Sequence, residues 1–116
     1  MRTLLGATLA IALAAHGEVF EATAYSDHGR TASGHTTRRG VVAADPHVLP
    51  LGTRIRITGA GRYSGEYVVR DTGQAVDGRT VDIFIADARA AKRFGRKQVK
   101  VDVLEWGDGR ATAGRR

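Results

Sequence analysis

The sequence contains no cysteine, two prolines and one tryptophan, and aromatic residues make up 6% of it. Without cysteine there is no disulfide to brace a small domain, no thiolate metal site and no cysteine nucleophile. With so few aromatics, and no basic run interleaved with stacking side chains, the pattern of a single-strand nucleic-acid binder is missing. No apolar run reaches the roughly 20 residues that a membrane-spanning helix needs. The fold must therefore be held by core packing alone.

What remains is the material of one small domain. The chain has 116 residues, 42% of them apolar, which suits a single core and argues against disorder of the whole chain. Met1 and Arg2 open the chain, Leu4 to Ala15 is apolar or small throughout, and small residues follow at Ala12, Ala14, Ala15 and Gly17. That is the layout of a secretory signal peptide over residues 1–17, cleaved after Ala14, Ala15 or Gly17. The alternative is a buried first helix. No Cys stands near the cleavage region to take a lipid. The net charge is +6, from 18 Lys and Arg against 12 Asp and Glu. Part of it lies among Gly, Ala and Thr at Arg110, Arg115 and Arg116, so residues 107–116 read as a flexible basic tail. A basic exported protein suits an anionic cell-wall polymer or membrane surface.

Between leader and tail, residues 18–106 form a series of short alternating segments broken by Gly, Pro, Asp and Thr. Phe20, Ala22 and Ala24 alternate with Glu21, Thr23 and Tyr25, and Ser26 to Arg39 reads as a long polar loop. Val41 to Ala44 is an apolar strand stopped by Asp45-Pro46, and Pro50-Leu51-Gly52 is a turn. Ile55 and Ile57 share one face of the next strand, Gly59 to Gly65 is a hairpin connection, and Glu66 to Arg70 leads into Asp71-Thr72-Gly73. Val81, Ile83 and Ile85 share a face opposite Asp82 and Phe84. Asp87 to Arg93 favours a short helix ended by Gly95, and Val99, Val101 and Val103 line a last strand. About six strands with one or two short helices predict an all-β fold, a small barrel or sandwich.

Three acids stand at strand ends or on a strand's outward face: Asp45 in VVAADP, Asp71 in VVRDTG and Asp82 in TVDIFI. If the segment from Asp71 to Asp82 links two neighbouring strands, both acids face one groove. Clustered carboxylates raise one another's pKa, and apolar neighbours of Asp82 push the same way. A carboxylic acid protonated near neutral pH is what general-acid cleavage of a glycosidic bond needs. Each acid also has a plain structural reading. Asp45 before Pro46 starts a turn, and Asp71 before Thr72-Gly73 caps one. Asp82 is different, because an acid within a β-branched run is unfavourable without a purpose. His16, His28, His35 and His47 show no paired metal spacing, which leaves a zinc site from His28, His35 and the aspartates as a minor alternative. Ser26 and Ser33 lack the Gly-x-Ser-x-Gly elbow of a hydrolase.

The words TAY (23–25), TASG (31–34), VVAADPHVLPLGTRIRI (41–57), RDTGQAVDGRTVDIF (70–84) and FGRKQVKVDVL (94–104) occur in an order and spacing that resembles the 3D, or three-aspartate, domain family. The resemblance implies a six-stranded double-psi β-barrel that meets peptidoglycan in the periplasm, the cell envelope or the wall, as monomer or homodimer. It is similar to the catalytic barrel of membrane-bound lytic transglycosylase A, an outer-membrane enzyme, and to barrels of the rare-lipoprotein-A type. By that likeness the three aspartates fall on Asp45, Asp71 and Asp82, with Asp82 at the position of the transglycosylase acid. The implied reaction cleaves the bond between N-acetylmuramic acid and N-acetylglucosamine and closes a 1,6-anhydro ring, in cell-wall turnover. No metal or cofactor is required. Asp71 and Asp45 would hold and tune Asp82, while Tyr25, Thr31, Ser33, Gly34, Gly73 and Gly78 would contact sugar.

The chain departs from the family pattern at Asp77, a position that is usually basic, and in having no second domain to form half of a cleft. In the rare-lipoprotein-A type the acid matching Asp71 is implicated, which makes Asp71 the second choice of catalyst. Two other functions fit parts of the sequence. A non-catalytic, expansin-like wall-binding barrel explains charge and export equally well. A dimeric aspartic protease shares the Asp-Thr-Gly word, but too little chain follows Gly73 for most of a protease lobe.

Overall fold

The computed structural model describes residues 17–27, 39–73 and 76–110. The expected leader, apart from Gly17, lies outside these residues. So do His28, Thr31, Ser33, Gly34 and His35. Six strands form: β1 (Glu18–Tyr25), β2 (Val41–Ala44), β3 (Arg54–Thr58), β4 (Gly65–Asp71), β5 (Thr80–Phe84) and β6 (Lys97–Glu105). A 3-10 turn at Gly61–Tyr63 joins β3 to β4, and one helix, α1 (Ala88–Phe94), lies between β5 and β6. The strands close into a barrel in the order β1, β5, β2, β4, β3, β6. The all-β expectation holds.

The alternation read from the sequence is what turns each strand's apolar face inward. Ala22, Val42, Ala44, Ile55, Ile57, Val69, Val81, Ile83, Val99 and Val101 fill the interior, all of them buried. Leu49 and Leu51 follow β2 and join the same core, as do Ala91 and Phe94 of α1. The helix begins where the Asp87 carboxylate accepts the Arg89 N–H at 3.3 Å and ends at Gly95, whose φ of 67° is costly for any other residue. β2 is buried along its whole length, outward residues Val41 and Ala43 included, which accounts for its unbroken apolar sequence. β3 is the opposite case. Its outward Arg54 and Arg56 pair with Glu66 of β4, and Arg54 also with Glu105 of β6.

Two strand pairs are parallel, β1–β5 and β2–β4, and they flank the antiparallel β2–β5 seam. Exchanging β1 with β4, β2 with β5 and β3 with β6 reproduces the whole pairing scheme. This interlocked, pseudo-twofold arrangement is the double-psi barrel. It also corrects one sequence expectation. β4 and β5 are not neighbours, because β2 runs between them, so the segment after Asp71 crosses over a strand.

Beyond β6 the chain turns back on the barrel. Gly107 N–H donates to the hydroxyl of fully buried Thr53 at 3.0 Å, and Gly109 N–H to Leu51 carbonyl at 3.0 Å. A side chain at 107 would run into Leu51 carbonyl and the backbone of Gly52 and Thr53. Gly107→Ala is therefore expected to lower the unfolding free energy by about 1–3 kcal/mol, as overpacking does, against about 0.5–1.5 kcal/mol for the core truncation Ile57→Val. Urea melts of the two variants beside the parent chain check this ranking.

Candidate functional site

Register across the β1–β5–β2–β4 stretch places four residues in one row on the outer face: Thr23, Asp82, Ala43 and Asp71. A second row, two residues along, holds Tyr25, Phe84, Val41 and Val68. Asp71 reaches its row through a bulge. Val42 pairs with Val69 but Ala43 pairs with Asp71, so Arg70 is the extra residue of β4. In regular pairing Arg70 would stand beside Ala43. The bulge substitutes an acid for a cation there. Between the two aspartates the row holds only the methyl group of Ala43.

Asp82 is half-buried, and its Oδ1 accepts a hydrogen bond from the Thr23 hydroxyl at 2.9 Å. Burial pushes the Asp82 pKa above the ordinary carboxylate range, the negative charge of Asp71 adds to this, and the Thr23 bond opposes it. Tyr25 packs edge-on against Phe84 with centroids 5.6 Å apart. Its hydroxyl is buried without a hydrogen-bond partner among the described residues, and it is held protonated by burial and by the charges of Asp71, Asp82 and Asp27. Asp71 Oδ1 accepts the Thr72 N–H at 2.9 Å, so the turn-capping role read from its sequence is present alongside its place in the row.

Asp45 does different work. It lies just past the end of β2, where its Oδ2 accepts the Gly78 N–H at 2.8 Å and its Oδ1 accepts the His47 N–H at 2.9 Å. These bonds, Gly78 first, hold its pKa below the usual range. Gly78 has φ 63°, a conformation that glycine adopts readily. The carboxylate thus ties the loop before β5 to the end of β2, bridging 33 residues of sequence. Asp77, the departure from the family pattern, lies beside Asp45, and it is Asp71 whose charge acts on Asp82. Gly73 is exposed beside this loop. Among the described residues no group of three His, Cys, Asp or Glu side chains is placed to hold a metal ion.

Sequence reasoning turned Asp71 and Asp82 toward one groove, on the condition that their strands were neighbours, and missed Thr23, Ala43 and the bulge. Thr23 shared a polar face with Tyr25 in the alternation, which was the available signal. Nothing local shows which strand lies beside β1.

The chain is thus a closed double-psi β-barrel with a carboxylate row on its outer face. It belongs to the 3D domain family, whose model matches residues 40–105. Two Bacillus subtilis (strain 168) proteins are similar to it. One, named "Putative cell wall shaping protein YabE", is 35% identical over 91 residues, covering 71% of this chain and 21% of that protein. The other, the cell wall-binding protein YocH, is 36% identical over 92 residues, covering 72% of this chain and 31% of that protein. The crystal structure of MltA from E. coli shares the fold, with a TM-score of 0.55 at 20% identity, over 68% of this chain and 28% of that one. The chain therefore spans less than a third of the length of each of these three.

Two shifts of opposite sign are expected at Asp82. Thr23→Val removes a bond to the carboxylate and raises its pKa further, whereas Asp71→Asn removes a neighbouring charge and lowers it. Carboxyl carbon NMR titration reads both. Linkage gives a matching pair of stability effects. With its folded pKa raised, Asp82 favours the fold below its unfolded pKa, and that contribution is lost as pH rises through the folded value. Asp82→Asn should therefore raise Tm near neutral pH. With its folded pKa lowered, Asp45 contributes stability above its unfolded pKa, lost as pH falls through the folded value. Asp45→Asn should lower Tm at neutral pH and bring Tm closer to that of the parent chain in acid. Thermal melts across the pH range check both.

Proposed function

We propose that this chain is an exported lytic transglycosylase of cell-wall turnover, with Asp82 as its single acid and base. The observation that carries the reading is the state of Asp82: half-buried, biased toward its protonated form, with Oδ1 fixed by Thr23 and no described residue bonded to Oδ2. Burial and a neighbouring charge of the same sign are how proteins keep a carboxylic acid protonated for general-acid work.

In the proposed reaction the Asp82 proton moves to the oxygen bridging N-acetylmuramic acid to N-acetylglucosamine, and the bond from that oxygen to the muramic anomeric carbon breaks. The muramic 6-hydroxyl oxygen bonds to the same carbon, and its proton passes to the Asp82 carboxylate. Atoms and charge balance without water, and the enzyme ends as it began. Thr23 orients the carboxyl. Asp71 keeps the proton in place by its charge. Asp45 positions the loop that enters β5. The Tyr25 hydroxyl, buried beside both acids and unpartnered among the described residues, would have to be uncovered to give a hydrogen bond to the glycan. Membership of the 3D family and the fold shared with MltA support this chemistry.

A second reading, a barrel that binds peptidoglycan without cutting it, is favoured by the name of the cell wall-binding relative. Digestion of purified sacculi separates the two. The parent chain is expected to release 1,6-anhydromuropeptides, detected by mass spectrometry, and Asp82→Asn to lower that rate by about 10²-fold or more. Sedimentation with sacculi and no anhydro product would establish the binding barrel instead. Free reducing ends would point to an ordinary hydrolase using water. The rate should fall as pH rises through the raised pKa of Asp82, because the reaction needs the protonated acid. Asp71→Asn should move that fall to lower pH.

A further inference from the structure

A groove of about 640 Å³ opens at the rim of the barrel where β5 ends and β2 and β4 begin. Its walls come from Arg39 and Gly40 before β2, the turn and strand start from Arg62 to Tyr67, the segment from Phe84 to Asp87, and Ala90 and Arg93 of α1. The volume suits a short peptide or similar small ligand. Phe84 belongs both to this groove and to the outer face that carries Asp82. It stands two residues further along β5, about 7 Å at the rise of an extended strand.

The charges in the groove are out of balance. Arg54, Arg56, Arg79, Arg96 and Arg110 each have a carboxylate within ion-pair distance, whereas Arg39, Arg62 and Arg93 have none among the described residues. The groove also contains two acids, but both are engaged. Glu66 gives one oxygen to Arg54 and the other to Arg56, and Asp87 caps α1. Three guanidinium groups thus line one cleft with no carboxylate of a described residue within ion-pair distance of them, one lying over the ring of Tyr63. The planar fork of arginine matches carboxylates in two-point fashion.

We propose that this groove holds the carboxylates of the peptide stem carried by the muramic residue at Asp82, so that the chain prefers peptide-bearing glycan to bare glycan. The inference rests on the transglycosylase reading for its substrate, but the groove's chemistry is independent of the cleavage step. A stem leaves the muramic ring through its lactyl ether, and its first free carboxylate, on the D-Glu residue, is about a dozen bonds from the scissile linkage, enough chain to span the roughly 7 Å from Asp82 to the groove at Phe84. A cationic cleft one step along the strand from the acid is where those groups fall.

Binding and turnover test it separately. The binding probe is a soluble stem tripeptide, L-Ala–γ-D-Glu–diaminopimelate, titrated into the isotope-labelled chain and compared with the same peptide amidated at its carboxylates. The free-acid peptide is expected to shift amide signals at Arg62 to Tyr67 and Ala86 to Arg93. Affinity should fall about tenfold for each of Arg62→Ala and Arg93→Ala, the loss of one charge-assisted bond, and by more for the amidated peptide. In turnover, both variants should lose about tenfold in rate on intact sacculi while matching the parent chain on sacculi whose stem carboxylates have been amidated. Silence of the groove toward the peptide, or equal rates for parent and variants on sacculi, overturns the proposal. So does binding of a glycerol-phosphate oligomer in its place, which would assign the groove to a phosphodiester polymer. A shift at the groove with no anhydro product from either substrate would overturn the transglycosylase reading and leave the peptide site standing.

Discussion

The hydrogen-bonded seam between β2 and β5 is the contact on which the rest of this barrel depends. Along it Val42 faces Ile83, Ala43 faces Asp82 and Ala44 faces Val81. Inward residues of the seam lie at the centre of the core, and each strand carries its own parallel neighbour on the far side. An acid on such a strand is hemmed in laterally by backbone and adjacent side chains even though it points away from the core. Its partial burial is the first cause of its raised pKa. Fold and electrostatics are one constraint here.

The three aspartates illustrate how position divides labour among identical side chains. Asp45 collects backbone N–H groups and is stabilised as an anion. Asp82 has a single hydroxyl donor among the described residues, and burial outweighs that bond. Asp71 supplies charge to both Asp82 and Tyr25 while capping its own turn. An anion that has already taken its hydrogen bonds is a poor proton donor, so the division singles out Asp82.

Much of this was legible in the sequence because it is local. Period-two alternation assigned the inward faces of β3 and β6 correctly, the unbroken VVAA run marked an apolar strand, and Gly95 marked the end of α1. β5 stops one residue earlier than its alternation implied, yet Ile85 N–H still donates to Tyr25 carbonyl at 2.8 Å, so the pattern outlasts the ladder. What stayed hidden is non-local. No sequence pattern announces that β2 separates β4 from β5, that Arg70 is bulged out, or that Asp45 reaches Gly78. Each depends on which strands come to lie side by side, a choice made by the whole core. The likeness to a known family supplied the aspartates' common membership and marked Asp82 as the acid, but not the bonds by which each carboxylate is held.

The pairing scheme has a consequence for how such a chain is made. Every ladder joins one of β1, β2 and β3 to one of β4, β5 and β6, and no two strands of the same half are paired. A nascent chain that has emerged only as far as β3 therefore holds three strands with no partner among themselves and must wait for the later half before any sheet exists. Severing the Gly59–Gly65 connection would yield two fragments that have no sheet apart and a complete one together.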